Sequence, residues 1–269
     1  VNLRSFFIVN KKGPIRRGQW AVYAVTWLFI LFLAFLVFYL SFKDFPYKFQ
    51  WGAIREYRQA FVSGFQNTII VSLIALFVST TIGIITGIAK SSEILLFRMI
   101  GTGYVELIRN TPLIVQILIF FYVIANAIQY DNRFVVGILI MSLFAGAYMA
   151  EIIRAGIESI EGSQLETAES LGFTRYQTYR YVIFPQIIRR TLPGMSGQFV
   201  SLIKDSSLLS IISVREFTMV ARDVSSASFT TLEAYLFIAA GYILLTFPIS
   251  MLTKRLEKMF SVEKEVQNA

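Results

Sequence analysis

Residues 163–185 read SQLETAESLGFTRYQTYRYVIFP, a polar interval between long apolar runs. Its punctuation predicts two short helices hinged at Gly172. Ser163 and Glu166 have capping-box spacing, and Thr174 and Gln177 repeat that spacing for the second helix. Gly172 supplies the left-handed conformation that closes the first helix, and Pro185 stops the second. A bare connection between membrane spans needs no such construction. The interval therefore reads as a docking element for something outside the membrane, against the plainer reading of an amphipathic loop with solvated charges.

The surrounding composition sets the class. The chain is 55% hydrophobic with mean hydropathy +0.61, and 16% of its residues are charged, against about 25% in soluble domains. Apolar runs of about 20 residues can cross a hydrocarbon core about 30 Å thick. The expectation is an all-α integral membrane protein with no separate soluble domain. Cysteine and histidine are both absent, which removes disulfides, thiol nucleophiles and imidazole relays and leaves no metal site to expect. The net charge of +8 suits a cytoplasmic face and calls for no nucleic-acid partner.

Spans are expected near 20–42, 68–89, 112–130, 134–150, 194–214 and 234–253. The run from Trp20 to Phe42 is longer than a signal-peptide core and reads as a retained first span. The third span begins at Pro112, with Arg109 to Thr111 anchoring it at the interface and taking no substrate role. The third and fourth spans form a tight hairpin through Asp131, Asn132 and Arg133. The fifth is interrupted by Lys204, Asp205, Ser206 and Ser207. Basic residues decide the orientation. With both termini cytoplasmic, only Lys43, Lys48, Arg55, Arg58, Arg133, Arg215 and Arg222 face outward. The tails, Lys90, Arg98, Arg109, Arg154 and the basic residues of 175–190 face inward. Three regions follow: 1–60, an N-tail, first span and external connector; 61–255, the transmembrane domain; and 256–269, a cytoplasmic tail. On the second span Ser79, Gly83 and Gly87 recur every fourth residue, a spacing that lets helix backbones approach closely.

The stretch ETAESLG, followed nine residues later by VIFP, resembles the EAA loop of the membrane subunits of binding-protein-dependent ABC importers. Glu166, Ala168, Gly172 and Pro185 match that pattern in place. Thr167 stands for its central Ala, Val182 for Ile and Phe184 for Leu. GFQNTIIVSL (64–73), RNTPLIVQI (109–117), AYMAEIIRAGIESI (147–160) and QFVSLIKDSSLLSII (198–212) are similar to the polar amino-acid subfamily, the histidine, glutamate and glutamine permeases. The resemblance covers about 64–255 and leaves 20–42 as an added N-terminal helix. It implies a type I importer fold, a second permease subunit (identical or paralogous), a cytoplasmic ATPase dimer, an extracytoplasmic amino-acid-binding protein and residence in a bacterial cytoplasmic membrane. ATP and Mg would be bound by the partner ATPase. This chain has no GxxxxGK[ST] phosphate loop and is expected to be a transport subunit rather than an enzyme.

The resemblance implies that Glu166, Thr167, Ala168, Glu169, Leu171, Gly172, Phe173 and Pro185 couple the chain to its ATPase. Polar residues inside spans face a cavity or a partner, and Lys204, Asp205 and Ser206, with Gln116, Tyr148 and Glu151, are the candidate substrate pathway. Plainer readings are a self-paired helix break at Lys204–Asp205, a surface ion pair between Glu151 and Arg154, and a helix–helix bond from Gln116. An ion-coupled secondary transporter is the alternative function, since such proteins use broken helices near the membrane midplane. Membrane lipid is a further expected partner.

Overall fold

The computed structural model describes residues 19–43 and 47–267. The basic N-tail (1–18) and the connector residues Asp44, Phe45 and Pro46 lie outside the described residues. The chain divides into two compact units, Val1–Phe49 and Gln50–Ala269. The first holds one helix, α1 (Gln19–Phe42). Its residues are apolar around the whole circumference, the pattern of a lipid-facing span.

The second unit is helical throughout its described regular elements. A short helix α2 (Gly52–Glu56) leads into α3 (Arg58–Lys90), then α4 (Leu95–Arg109) and α5 (Leu113–Leu118), which continues as a π-helical segment, Ile119–Ala125. After α6 (Arg133–Glu158) come α7 (Gly162–Ser170) and α8 (Arg175–Gln177). A second π segment, Thr178–Ile183, runs into α9 (Phe184–Asp205) and a 3-10 turn, Ser206–Ile212. The chain closes with α10 (Phe217–Ser228) and α11 (Thr231–Gln267).

Among the described residues, four helices are long and apolar enough to cross a membrane: α1, α3, α6 and α11. A fifth span arises if α4 and α5, which meet at 103°, count as one broken crossing. The expected span at 194–214 is not among them. That region is the end of α9 and the 3-10 turn, and α9 carries Arg189, Arg190, Lys204, Asp205 and an interior Pro193. The third span also differs from expectation. Pro112 is the extended N-cap of α5 rather than its first helical residue.

The α3–α6 pair is the most extensive helix contact, and small residues make it possible. A Cβ added to Gly83 would lie 2.4 Å from the Met149 Cβ, and one on Gly87 would lie 2.9 Å from Ile153 Cγ2. Ser79, Gly83 and Gly87 are all buried. The four-residue spacing thus serves packing within the chain. Around this pair Val71, Ala75, Ile117, Ile140, Met141, Ala145 and Leu209 form the main core.

A second core gathers Phe61, Phe217, Val220, Val224, Ala234 and Ile238 from α3, α10 and α11. Glu216 lies inside it, fully buried. Its carboxylate accepts the backbone N–H groups of Thr218 and Met219, both at 2.7 Å, and the Tyr242 hydroxyl at 3.0 Å. It is therefore the N-cap of α10. Burial pushes its pKa up to about 7, against the opposing pull of those hydrogen bonds.

Candidate functional site: a docking loop below a charged pocket

The helix pair within 163–185 forms with a different boundary at each end. Its centre is a Schellman closure. Gly172 sits at φ +77°, its N–H donates to Glu169 O at 2.9 Å, and the Phe173 N–H donates to Ala168 O at 3.0 Å. The second start signal is also present. Thr174 Oγ1 accepts from the Gln177 N–H while Gln177 Oε1 accepts from the Thr174 N–H, a reciprocal capping box.

The first start signal does not operate as expected. Glu161, not Ser163, occupies the N-cap, and the Ser163 hydroxyl turns to Glu161 Oε2 at 3.4 Å. The helix begins at Gly162, two residues earlier than a Ser163 N-cap would give, which places Ser163 inside the first turn. Pro185 does not stop the second helix either. It takes the second position of α9, directly after the π segment. A π turn already departs from the i→i−4 ladder, so the missing proline N–H falls where α-helical bonding has been suspended.

Most of the loop faces solvent. Glu166, Thr167, Glu169, Leu171, Gly172 and Phe173 are exposed, Leu171 at 70%, and Ala168 alone of the matched positions is buried. Gln186 Nε2 donates to Gln164 Oε1 at 2.7 Å and ties α9 back to α7. A shallow cleft of about 310 Å³ lies between them, bordered by Thr167, Leu171, Phe173 and Val182. Tyr176, Tyr179 and Tyr181 add an exposed aromatic row that the sequence reading did not single out. Its signal was the run of three tyrosines in six positions of an otherwise polar stretch.

The pathway candidates separate into three places. Tyr148 and Glu151, both on α6, line one pocket of about 260 Å³ with Lys90, Glu106, Arg109 and Asn110. Glu151 pairs with Lys90, with Arg154 Nη2 at 3.0 Å and with Arg109 Nη1 at 3.4 Å. The Arg109 guanidinium also lies 5.3 Å from the centre of the Tyr148 ring, a cation–π distance. Arg109 is thus a wall of the pocket and not merely an interfacial anchor. Pro112 announces a helix break just after Arg109, but not the 103° bend or the α6 residues that Arg109 meets.

Gln116 lies elsewhere, buried at the bend itself. Its Nε2 donates to Ile108 O at 2.7 Å and to Thr111 O at 3.1 Å, which satisfies carbonyls freed where α4 ends. Its Oε1 has no donor. At the far end of α9, Lys204 is exposed, Asp205 half-buried and Ser206 buried. The Ser206 hydroxyl donates to Ile203 O at 2.8 Å. Lys204 and Asp205 form no ion pair with each other among the described residues, and neither lines the Glu151 pocket.

One element connects pocket and loop. Glu151 and Glu158 sit on α6, seven residues or about 10 Å apart along a helix rising about 1.5 Å per residue, and α7 begins at Gly162. Arg154 bonds both Glu151 and Glu158. Arg190 of α9 donates to Ser159 O, fastening the helix that follows the loop to the end of α6.

Comparison with known proteins agrees with this architecture. Residues 79–262 match the family described as binding-protein-dependent transport system inner membrane component. A probable glutamine ABC transporter permease of Bacillus subtilis is 35% identical over 74% of this chain and 94% of its own length. The glutamine transport system permease of Escherichia coli is 30% identical over 80% of this chain and 99% of its own. A crystal structure of an amino acid ABC transporter with histidines superimposes with TM-score 0.72 at 31% identity, over 79% of this chain and 100% of that one. An inward-facing structure of the methionine transporter MetNI shares the fold at TM-score 0.62 and 14% identity. With the helix pair of 163–185, the bend between α4 and α5 and the whole of α6 falling inside the matched region, the chain belongs to the family of inner-membrane permease components of binding-protein-dependent ABC transport systems.

Proposed function

We propose that this chain forms half of the translocation pathway of an ATP-driven importer of a polar amino acid in a bacterial cytoplasmic membrane. A second permease, identical or paralogous, supplies the other half. A separate ATPase dimer, which binds ATP and Mg, docks on Glu166–Phe173, and an extracytoplasmic binding protein delivers the substrate. Both termini are cytoplasmic in this reading, as the basic residues favour.

The observation that carries it is the continuity of α6. One helix bears a pocket wall with Tyr148 and Glu151 and then leads directly into an exposed, well-closed docking helix. A shift imposed on α7 by the ATPase is passed to Glu151 and its partners through that helix, and packed interfaces convert such shifts into discrete rigid-body states. The pocket walls offer Lys90 and Arg109 against Glu106 and Glu151. A zwitterionic amino acid presents the same two charges, so it can exchange ion-pair partners with the pocket at little cost in desolvation. The relatives named as glutamine permeases point to an uncharged polar side chain. Gln116 supports the bend, and Lys204, Asp205 and Ser206 form a second polar station on the pathway.

The test is uptake of radiolabelled amino acids by the complete transporter in proteoliposomes. Separate alanine substitutions at Gln116, Tyr148, Glu151, Lys204, Asp205 and Ser206 are compared at equal incorporation. Loss of uptake is expected at Tyr148 and Glu151 and at one or more of Lys204 to Ser206. Unaltered uptake in all six rejects the pathway.

A further inference from the structure

We infer that the slot between α3 and α4 is a binding site for an anionic phospholipid, which seats one acyl chain in the slot and its phosphate at Arg98. The slot encloses about 320 Å³, at the lower end of the range of about 300–1,000 Å³ found for small-molecule sites. Ile85 and Ala89 wall it on α3, Phe97, Ile100 and Tyr104 wall it on α4, and Leu143 of α6 floors it.

Its shape is held by the fold. The Tyr104 hydroxyl donates to Leu143 O at 2.5 Å, which fixes α4 against α6. At Gly101 the helices touch, since a Cβ there would lie 2.9 Å from Lys90 Cγ. Two helices already in contact leave no room for a third at the usual separation of about 8–10 Å, so the occupant is a chain and not a helix. Ile85, Phe97 and Ile100 are at least half exposed. Ile85 lies on α3, which is long and apolar enough to cross a membrane, and Phe97 and Ile100 lie on the first arm of the bent α4–α5 pair; apolar side chains left open on such elements are suited to contact with lipid.

Charge selects the headgroup. Arg98 stands one turn before Gly101 on α4, is exposed, and makes no ion pair among the described residues. Lys90, whose stem meets α4 at Gly101, has its ammonium engaged by Glu151. Glu93 precedes the N-cap of α4, Ile94, and forms no ion pair with Arg98 among the described residues; an acid at that end of a helix is favoured by the helix dipole. Arg98 is left to hold a phosphate. The proposal is independent of the transported substrate.

Fluorescence quenching tests it. In the full chain with Trp20, Trp27 and Trp51 changed to Phe, a single reporter is placed as Phe97→Trp or, on the opposite wall, Ile85→Trp. Phe77→Trp on α3 serves as a control position, because Phe77 is 77% exposed and does not line the slot. Phosphatidylcholine vesicles carry brominated-chain phosphatidylglycerol or brominated phosphatidylcholine at equal mole fraction. The expected result is quenching at least about two-fold stronger by phosphatidylglycerol at both slot positions, no lipid preference at the control, and loss of the preference with Arg98→Gln. Equal quenching by the two lipids, preference at one wall only, a preference indifferent to Arg98→Gln, or no quenching because protein fills the slot would each overturn the proposal.

Discussion

Gly172 is the position where a single atom decides the geometry of the docking loop. Nothing lies within 4 Å of a Cβ built there, so space is not the constraint; the backbone is, at φ +77°. An L-residue in that conformation costs about 1–2 kcal/mol, with Asn better tolerated than others. Gly172→Val is therefore expected to loosen the α7 closure and reduce substrate-stimulated ATP hydrolysis in the reconstituted transporter. Gly172→Asn should fall between Val and wild type, a ranking that a purely steric role would not produce. Glu151 makes the opposite kind of demand. Three cations converge on it while its side chain is only 20% exposed, and removing one member of a part-buried network leaves the others uncompensated. Glu151→Gln is expected to lower thermal stability by several degrees, and adding Lys90→Met should return part of that loss. Non-additivity in the double variant is the readout. Gly172, Thr174 and Gln177 were legible in the sequence because their interactions span at most five residues. Arg109 was not, because its partners Tyr148 and Glu151 are about 40 positions away.

At the level of elements, apolar length was the legible quantity and bending was not. α1, α3, α6 and α11 follow from runs of hydrophobic residues longer than a bilayer requires. The break between α4 and α5 falls at the extended Pro112, but its 103° angle and the Gln116 side chain that satisfies the freed carbonyls of Ile108 and Thr111 are carried by no hydropathy profile. By length and composition four described helices, with the bent pair as a fifth, qualify as spans against the six expected, because the charges and Pro193 of α9 take 194–214 out of that count. The four-residue spacing of Ser79, Gly83 and Gly87 was legible, and its partner helix became visible only with α6 in place. Gly83→Leu would drive a side chain into Met149 and Ala150. Overpacking of this kind costs about 1–3 kcal/mol or more, so this variant should show markedly reduced folded yield in detergent, measured by size-exclusion chromatography. The second core carries its own pH dependence. Glu216 bonds the start of its own helix through Thr218 and Met219 and bonds Tyr242 of α11, while Thr68 of α3 accepts the adjacent Phe217 N–H; the neighbouring Arg215 is exposed and sits 3.9 Å from Asp223. Its folded-state pKa of about 7 lies above the value of about 4.3 for an unperturbed Glu. The folded protein thus binds more protons than the unfolded chain between those values, and stability declines as pH rises through about 7. The melting temperature is expected to fall as pH rises from about 5 to about 7 and to level off above that, and Glu216→Gln should flatten that slope.

Across the whole molecule, α6 runs from the pocket to the helix pair of 163–185, with Arg154 and Arg190 fastening the junction at Glu158 and Ser159, and the proposed coupling uses that connection. The fold class and the loop were readable because membrane spans and helix caps are written locally. The assignment of Tyr148 and Glu151 to a shared pocket with Lys90 and Arg109 needed the bend and the α3–α6 packing, which are properties of the assembled bundle. The central claim is that ATP hydrolysis on a separate subunit drives substrate through this chain by way of 163–185. The most direct measurement is amino-acid uptake in proteoliposomes containing this chain, its ATPase, its partner permease and its binding protein, run with wild type and with Gly172→Asp. Uptake is expected to require both ATP and the binding protein and to fall about ten-fold or more with Gly172→Asp at equal incorporation. Uptake that is driven by an ion gradient and indifferent to ATP, or that is unchanged by Gly172→Asp, would contradict it.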